Sequence, residues 1–190
     1  MDNAQFKKTF SKPVFLSNFQ HKNPVLATFL TRMMVLYALW EVCFHIIWAF
    51  PNLMAGYRAF SLFIIKGILQ HTAWVLELLG YSTEMELGER IIKIVGTTGV
   101  SVGEPCIGFG VMAIFFALII SYPGLLRKKI WFLPLGLSLI YTMNIIRIAV
   151  LAIMVKIDPT IWELNHKFIF KIIIYSVILL LWRQWMKWTK

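Results

Sequence analysis

The chain has 190 residues, of which 59% are hydrophobic and only 15% charged, with a net charge of +10 and a mean hydropathy of +0.72. A soluble domain carries about 45–50% apolar and about 25% charged residues, so one domain's length at this composition describes a chain whose main solvent is lipid. Disorder, a disulfide scaffold and a soluble nucleotide-binding enzyme are excluded, and the apolar runs are too continuous for the alternating strands of a membrane β-barrel.

Residues 1–32 form a basic segment, with Lys7, Lys8, Lys12, Lys22 and Arg32 set against Asp2 alone. Residues 33–50, 107–122, 130–155 and 168–182 read as membrane helices. Each approaches the ~17–25 apolar residues that cross ~30 Å of hydrocarbon, the second and fourth by borrowing flanking residues. The first apolar run starts too late and runs too long for a cleavable signal peptide. Residues 57–79 read as an amphipathic helix in the interface or tucked against the bundle, with Lys66, Gln70 and Glu77 on one face; a full span is the alternative. Residues 80–105 are the one substantial segment outside the membrane. Within them, 90–95 and the following Gly-Thr-Thr-Gly read as one or two short strands. The expected fold is therefore all-α: a polytopic membrane helix bundle with one loop that carries short strands. It divides into the basic segment 1–32, a single membrane-embedded domain 33–185 and a tail 186–190.

Charge orients this bundle. Together with residues 1–32, the segments holding Arg127, Lys128, Lys129 and Arg183, Lys187, Lys190 contain eleven of nineteen basic residues and one acid. An even number of spans places all three on one side. Six of nine acids (Glu84, Glu86, Glu89, Glu104, Asp158 and Glu163) fall in the other two loops. By the positive-inside rule both termini are cytoplasmic and residues 80–105 external, as in a multi-pass protein of the inner (plasma) membrane. The lipid bilayer accounts for the basic balance, and a nucleic-acid partner is not needed.

Several polar residues sit where lipid tolerates few. Arg147 lies within the run 130–155, where a charge costs at least ~2.5 kcal/mol and marks a functional or strongly paired position. It is about 12 Å below Val155, within snorkelling reach of the outer surface. Asn144 and Tyr141 precede it at three-residue spacing on one helix face. Cys106 stands in Gly-Glu-Pro-Cys-Ile-Gly, where the loop meets the second span. With Pro105 at the first helical position, Cys106 is expected in the first helical turn, facing the positive end of the helix dipole that favours a thiolate. His166 opens the last span. Cys106, Arg147 and His166 come from three spans yet fall near one membrane face, where they offer a nucleophile, a cation and a base. Glu41 and His45 share a face of the first span, as a structural hydrogen bond or as a proton relay, the former favoured. Cys43, mid-membrane, reads as an inert apolar residue at a depth that bars pairing with Cys106. His21 and His71 show no metal-ligand spacing, and neither a cofactor nor a metal is expected.

Cys106-Ile107-Gly108, the Asn144-Ile-Ile-Arg147-Ile148 run and His166 at the head of the next span resemble, in order and sidedness, the exosortase/archaeosortase family. The likeness covers about residues 80–185, and the short chain is similar to the compact exosortase F type. Larger members carry further spans, and Phe170 stands where a glycine often follows the histidine. The resemblance implies a membrane-embedded cysteine protease or transpeptidase. Its partners would be exported proteins ending in a short motif, a spanning helix and a basic tail. It further implies Cys106 as nucleophile, His166 as acid/base and Arg147 as electrostatic stabiliser, with Asn144 and Glu104 in support. Other readings are a small proton-coupled transporter, which needs Glu41, His45, Lys66 and Arg147 along one path, and a non-catalytic envelope assembly partner. A metalloenzyme is disfavoured for want of ligand spacing.

Overall fold

The computed structural model describes residues 24–157 and 170–189. In chain order they form α1 (Pro24–Ala49), α2 (Pro51–Leu78), β1 (Thr83–Glu86), β2 (Ile91–Ile94), β3 (Val100–Ser101), a 3-10 turn (Glu104–Ile107), α3 (Phe109–Ser121), α4 (Leu126–Ile157) and α5 (Phe170–Trp188). The expected helical bundle is present, and its membrane character is carried by α1, α2 and α4, each long and apolar enough to cross a bilayer. The stretches expected at 107–122 and 168–182 appear as α3, a shorter apolar helix of 13 residues, and α5, whose 19 residues include Lys171, Arg183 and Lys187.

α1 and α2 meet at Phe50, the only residue between them. Its backbone is extended (φ −113°, ψ 114°) and Pro51 starts α2. A residue before proline is driven out of the helical region, and proline itself suits the first helical position. The bend folds the helices toward each other: Phe44 and Tyr57 meet at 6.4 Å between ring centroids, where one straight helix would hold them about 20 Å apart. α1 buries none of its 26 residues among the described chain. α2 buries Ser61, Ile65, Ile68, Leu69, Thr72, Ala73 and Leu76, a stripe at helical spacing, while Lys66, Gln70 and Glu77 are exposed. The helix expected at 57–79 is thus tucked against the bundle. It is also longer than expected, and it joins the candidate spans.

The loop carries three strands instead of one or two, paired antiparallel in the order β1-β2-β3. β2 alternates, burying Ile92 and Ile94 and turning Lys93 the other way. Register sets Glu84 opposite Lys93, and the Lys93 Nζ lies 2.5 Å from Glu86 and 3.2 Å from Glu84. Gly99 (φ +80°) closes the β2–β3 hairpin, where a Cβ would press against Lys93, Ile91 and the Ile92 carbonyl.

Two apolar cores share α4. One gathers α2, the sheet and the later half of α4, with Ile68, Leu76, Ile92, Val102, Ile107, Ile148 and Leu151 among its members. The other joins α3, the earlier half of α4 and α5 through Phe115, Ile119, Phe132, Ile140, Ile178 and Trp185. At the far end of this second core, Phe29 of α1 contacts Tyr122 and Trp182, and Lys128 donates to the Trp188 carbonyl. The N-terminal end of α1, the 127–129 cluster and the end of α5 therefore share one basic end, opposite the sheet. There Lys129, 7% exposed, donates to the Ile120 and Tyr122 carbonyls at 2.8 Å each, taking up orphan acceptors at the end of α3. Where α3 crosses α4, buried Gly136 lets the Phe115 ring against the backbone, and a Cβ there would collide with that ring.

Two outcomes follow from these contacts. Gly136→Val should lower stability by about 1–3 kcal/mol through overpacking, and Lys129→Met by a similar amount per carbonyl left unpaired, both read as thermal unfolding midpoints in detergent. The ion cluster makes the hairpin pH-sensitive. The hydrogen bond from Lys93 holds Glu86 below the usual glutamate range, and bonds to Glu86 and Glu84 hold Lys93 above the usual lysine range. A depressed acid stabilises above its unfolded pKa and is lost on acidification; a raised base stabilises below its own and is lost in alkali. Amide-exchange protection of β1 and β2 should be level near neutrality and fall below about pH 4 and above about pH 10.5.

Candidate active site

From β3 the chain passes through Val102 and Gly103 into the 3-10 turn that carries Cys106. Val102 and Ile107 are fully buried, at 0% and 1% exposure, and pin the turn at both ends to the first core. Within it, the Cys106 N–H donates to the Gly103 carbonyl at 2.9 Å, with proline in the opening turn. Gly108 then takes a left-handed conformation (φ +81°, ψ 17°) and caps α3, which begins at Phe109. This corrects the expectation for Cys106. Pro105 opens the 3-10 turn and not the membrane helix, and the left-handed glycine leaves Cys106 outside the first turn of α3. Only glycine adopts that conformation without crowding its own Cβ, which accounts physically for the Cys-x-Gly spacing.

α4 meets this turn from the side. The Asn144 side chain, 1% exposed, donates from Nδ2 to the Cys106 carbonyl at 2.5 Å. Cys106 itself is half-buried against the first core. One helical turn beyond Asn144, Arg147 is half-buried, and its Nε is buried without a hydrogen-bond partner among the described residues. Glu104 opens the Cys106 turn, also half-buried. The structure thus ties the turn that holds Glu104 and Cys106 to Asn144 of α4, with Arg147 one helical turn farther along the same helix. His166 lies outside the described residues. Phe170, the first residue of α5, packs against the core that holds the Cys106 turn.

One residue joins this neighbourhood that metal-ligand spacing could not reveal. His71 of α2 sets Nδ1 at 2.7 Å from the Gly67 carbonyl and 3.0 Å from the Tyr141 hydroxyl. The only sequence signal was Tyr141 in the Asn144–Arg147 stripe, which left its partner unnamed. Glu41 and His45 prove to be a surface pair. Their side chains are 42% and 81% exposed at 3.9 Å, and His45 Nδ1 bonds the Glu41 carbonyl at 2.8 Å; the expected burial is absent because α1 packs on the bundle without burying any residue. Cys43 and Cys106 are both free thiols. A cavity of about 340 Å3 at the basic end is lined by Phe29, Tyr122, Trp182 and apolar neighbours, away from Cys106. Among the described residues no three His, Cys, Asp or Glu side chains are grouped to hold a metal ion.

Two neighbouring glycines separate strain from bulk. Gly108→Ala should cost about 1–2 kcal/mol, because it forces an L-residue into the left-handed region. Gly110→Ala, in helical backbone with open space around its Cβ, should be neutral or stabilising by up to about 1 kcal/mol. Chemical unfolding of the two variants side by side measures the difference.

A family model described as transmembrane exosortase aligns with residues 24–183, most of the chain. No curated protein and no solved structure matches it.

Proposed function

The chain belongs to the transmembrane exosortase family, and on that premise we propose that it is a membrane-embedded cysteine peptidase or transpeptidase. Its substrates are exported proteins whose C-terminal sorting signal comprises a short motif, a spanning helix and a basic tail. The observation that carries the reading is the Asn144 bond to the Cys106 carbonyl, which ties the cysteine's turn to a helix that carries, one turn beyond Asn144, an arginine whose Nε has no partner among the described residues. The packing of Phe170 against the core holding Cys106 supports His166, four residues earlier in the chain, as the third member.

In this mechanism the Cys106 thiolate attacks the scissile carbonyl carbon, forming a C–S bond and a tetrahedral oxyanion. Arg147 donates to that oxyanion, a contact typically worth about 3–4 kcal/mol. The intermediate collapses, the C–N bond breaks, and His166 protonates the departing amine. The thioester then passes its acyl group to water or an acceptor nucleophile, which His166 deprotonates, and the thiolate returns. Asn144 holds the turn from its carbonyl side and Glu104 supports it. The membrane orientation proposed with this function places the basic end and both termini in the cytoplasm and the sheet and Cys106 outside, which keeps basic clusters on the cytoplasmic face. His45 and Lys66 are exposed and Glu41 is only half-buried on α1 and α2, an arrangement that lends nothing to a buried proton relay.

Replacing Cys106 by Ala in the native membrane should cause precursors that retain a C-terminal helix to accumulate in the envelope proteome, which also names the substrates. Arg147→Lys should impair conversion severely, because a compact ammonium lacks the planar fork. Arg147→Ala and His166→Ala should reduce conversion to near zero at normal abundance of extracted protein. Cys43→Ala should leave it intact. Normal conversion in Cys106→Ala would overturn the reading.

A further inference from the structure

The basic end of the bundle gathers positive charge without an answering acid. Lys129 is 7% exposed, and a buried charge is ordinarily paired with an opposite one. Its hydrogen bonds go instead to the neutral carbonyls of Ile120 and Tyr122, two acceptors for an ammonium with three donors. Arg32 of α1, itself exposed, is near enough for the two charges to repel. α3, α4 and α5 contain no Asp or Glu, and the one acid of α1, Glu41, lies nine residues beyond Arg32. The described residues therefore supply no countercharge here. Residues 1–23 would bring four lysines for one aspartate, which adds to the excess.

Beside these cations lies the apolar cavity of about 340 Å3, a volume within the range of ligand pockets. In its wall Phe29 stacks on Trp182 at 5.9 Å between centroids and meets Tyr122 edge to face at 6.1 Å. Cavity and cations adjoin at two points. Tyr122 lines the cavity, and its carbonyl is one of the two that Lys129 holds. On α1, the wall residues Val25 and Phe29 are followed by Arg32 at intervals of four and three residues, so all three share one side of the helix.

We propose that this end of the bundle binds an anionic phospholipid. An acyl chain enters the cavity among Val25, Phe29, Tyr122 and Trp182, and the phosphate takes its place against Arg32 and Lys129. A guanidinium can grip a phosphate through two parallel N–H donors, and basic pockets between transmembrane helices receive anionic headgroups. Free phosphate offers the same charge, but only a lipid also removes the apolar wall from water. The site is independent of the cysteine chemistry and of the orientation proposed for the chain.

Full-length protein in a neutral detergent is titrated with phosphatidylglycerol, with phosphatidylcholine of the same chains, and with inorganic phosphate. A ligand of the folded state raises the unfolding midpoint according to its affinity and concentration. Phosphatidylglycerol should raise it saturably, and the other two should do little at equal concentration. Arg32→Gln should weaken the phosphatidylglycerol affinity by about tenfold, the loss expected for one charge-assisted hydrogen bond. Val25→Trp, at a wall position that is already exposed, should weaken it at least as much by occupying the space. Arg127→Gln removes an exposed cation of the same end that does not line the cavity, and should leave the affinity unchanged. Parental affinity in Arg32→Gln or Val25→Trp overturns the assignment, as does an equal loss in Arg127→Gln, which would mean diffuse attraction. Equal stabilisation by phosphatidylcholine overturns the charge selection, and stabilisation by phosphate alone reduces the site to an anion site without a lipid. No shift with phosphatidylglycerol would give the cavity to residues 1–23 or to a second copy of the chain.

Discussion

Backbone carbonyls released from a helix within a membrane protein must find another donor, because hydrocarbon supplies none. α3 is only 13 residues long, about 20 Å, and the chain leaves helical geometry at both of its ends. α4 answers both breaks. Lys129 takes the Ile120 and Tyr122 carbonyls at one end, and Asn144 takes the Cys106 carbonyl at the other. Those donors are fifteen residues apart, about 22 Å along α4, so their spacing matches the short helix they bracket. The 3-10 turn that carries the half-buried Cys106 is held by a donor from a neighbouring helix.

The same logic bears on Arg147. It is half-buried on α4, and its buried Nε finds no acceptor among the described residues. An intramembrane guanidinium costs at least ~2.5 kcal/mol on insertion scales. Under the proposed function that cost has a use, because a site that develops negative charge needs a donor. Asn144 satisfies the backbone of the turn, and the proposal gives Arg147, on the same helix, to the chemistry.

Much of this was legible in the residues. The long apolar run of α4, the alternation Ile92–Lys93–Ile94 with its following glycines, and the Asn144–Arg147 spacing each follow from a strong local period or from a charge in an apolar run. The start of α3 was not, because proline fits the first turn of a 3-10 helix as well as that of an α-helix. Only the left-handed Gly108 decides between them, and its conformation is set by the tertiary anchors Val102 and Ile107. The reach of α2 was missed at its beginning, where Pro51 restarts a helix one residue after α1 ends and the apolar pattern runs through the bend. His71 was invisible because its partners, Gly67 on its own helix and Tyr141 seventy residues away, mark a crossing of helices and not a motif. The apparent burial of Glu41 and His45 failed for the converse reason: an apolar neighbourhood in sequence says that a helix is in lipid, not that it is covered by protein.

The two cores on one shared helix have a mechanical meaning. Proteins open in cooperative units, each with its own opening free energy, and a boundary between units follows the motion of the less stable one. Here the sheet, α2 and the later half of α4 share one core, and α3, α5 and the earlier half of α4 share the other, which makes them the natural candidates for two such units. The thiol-bearing turn belongs to the first, while the helix it leads into belongs to the second. Any slackening of either unit is thus transmitted to Gly108, the residue with the freest backbone at the junction. A change in the packing of either core therefore bears on the short stretch of backbone that joins the Cys106 turn to α3.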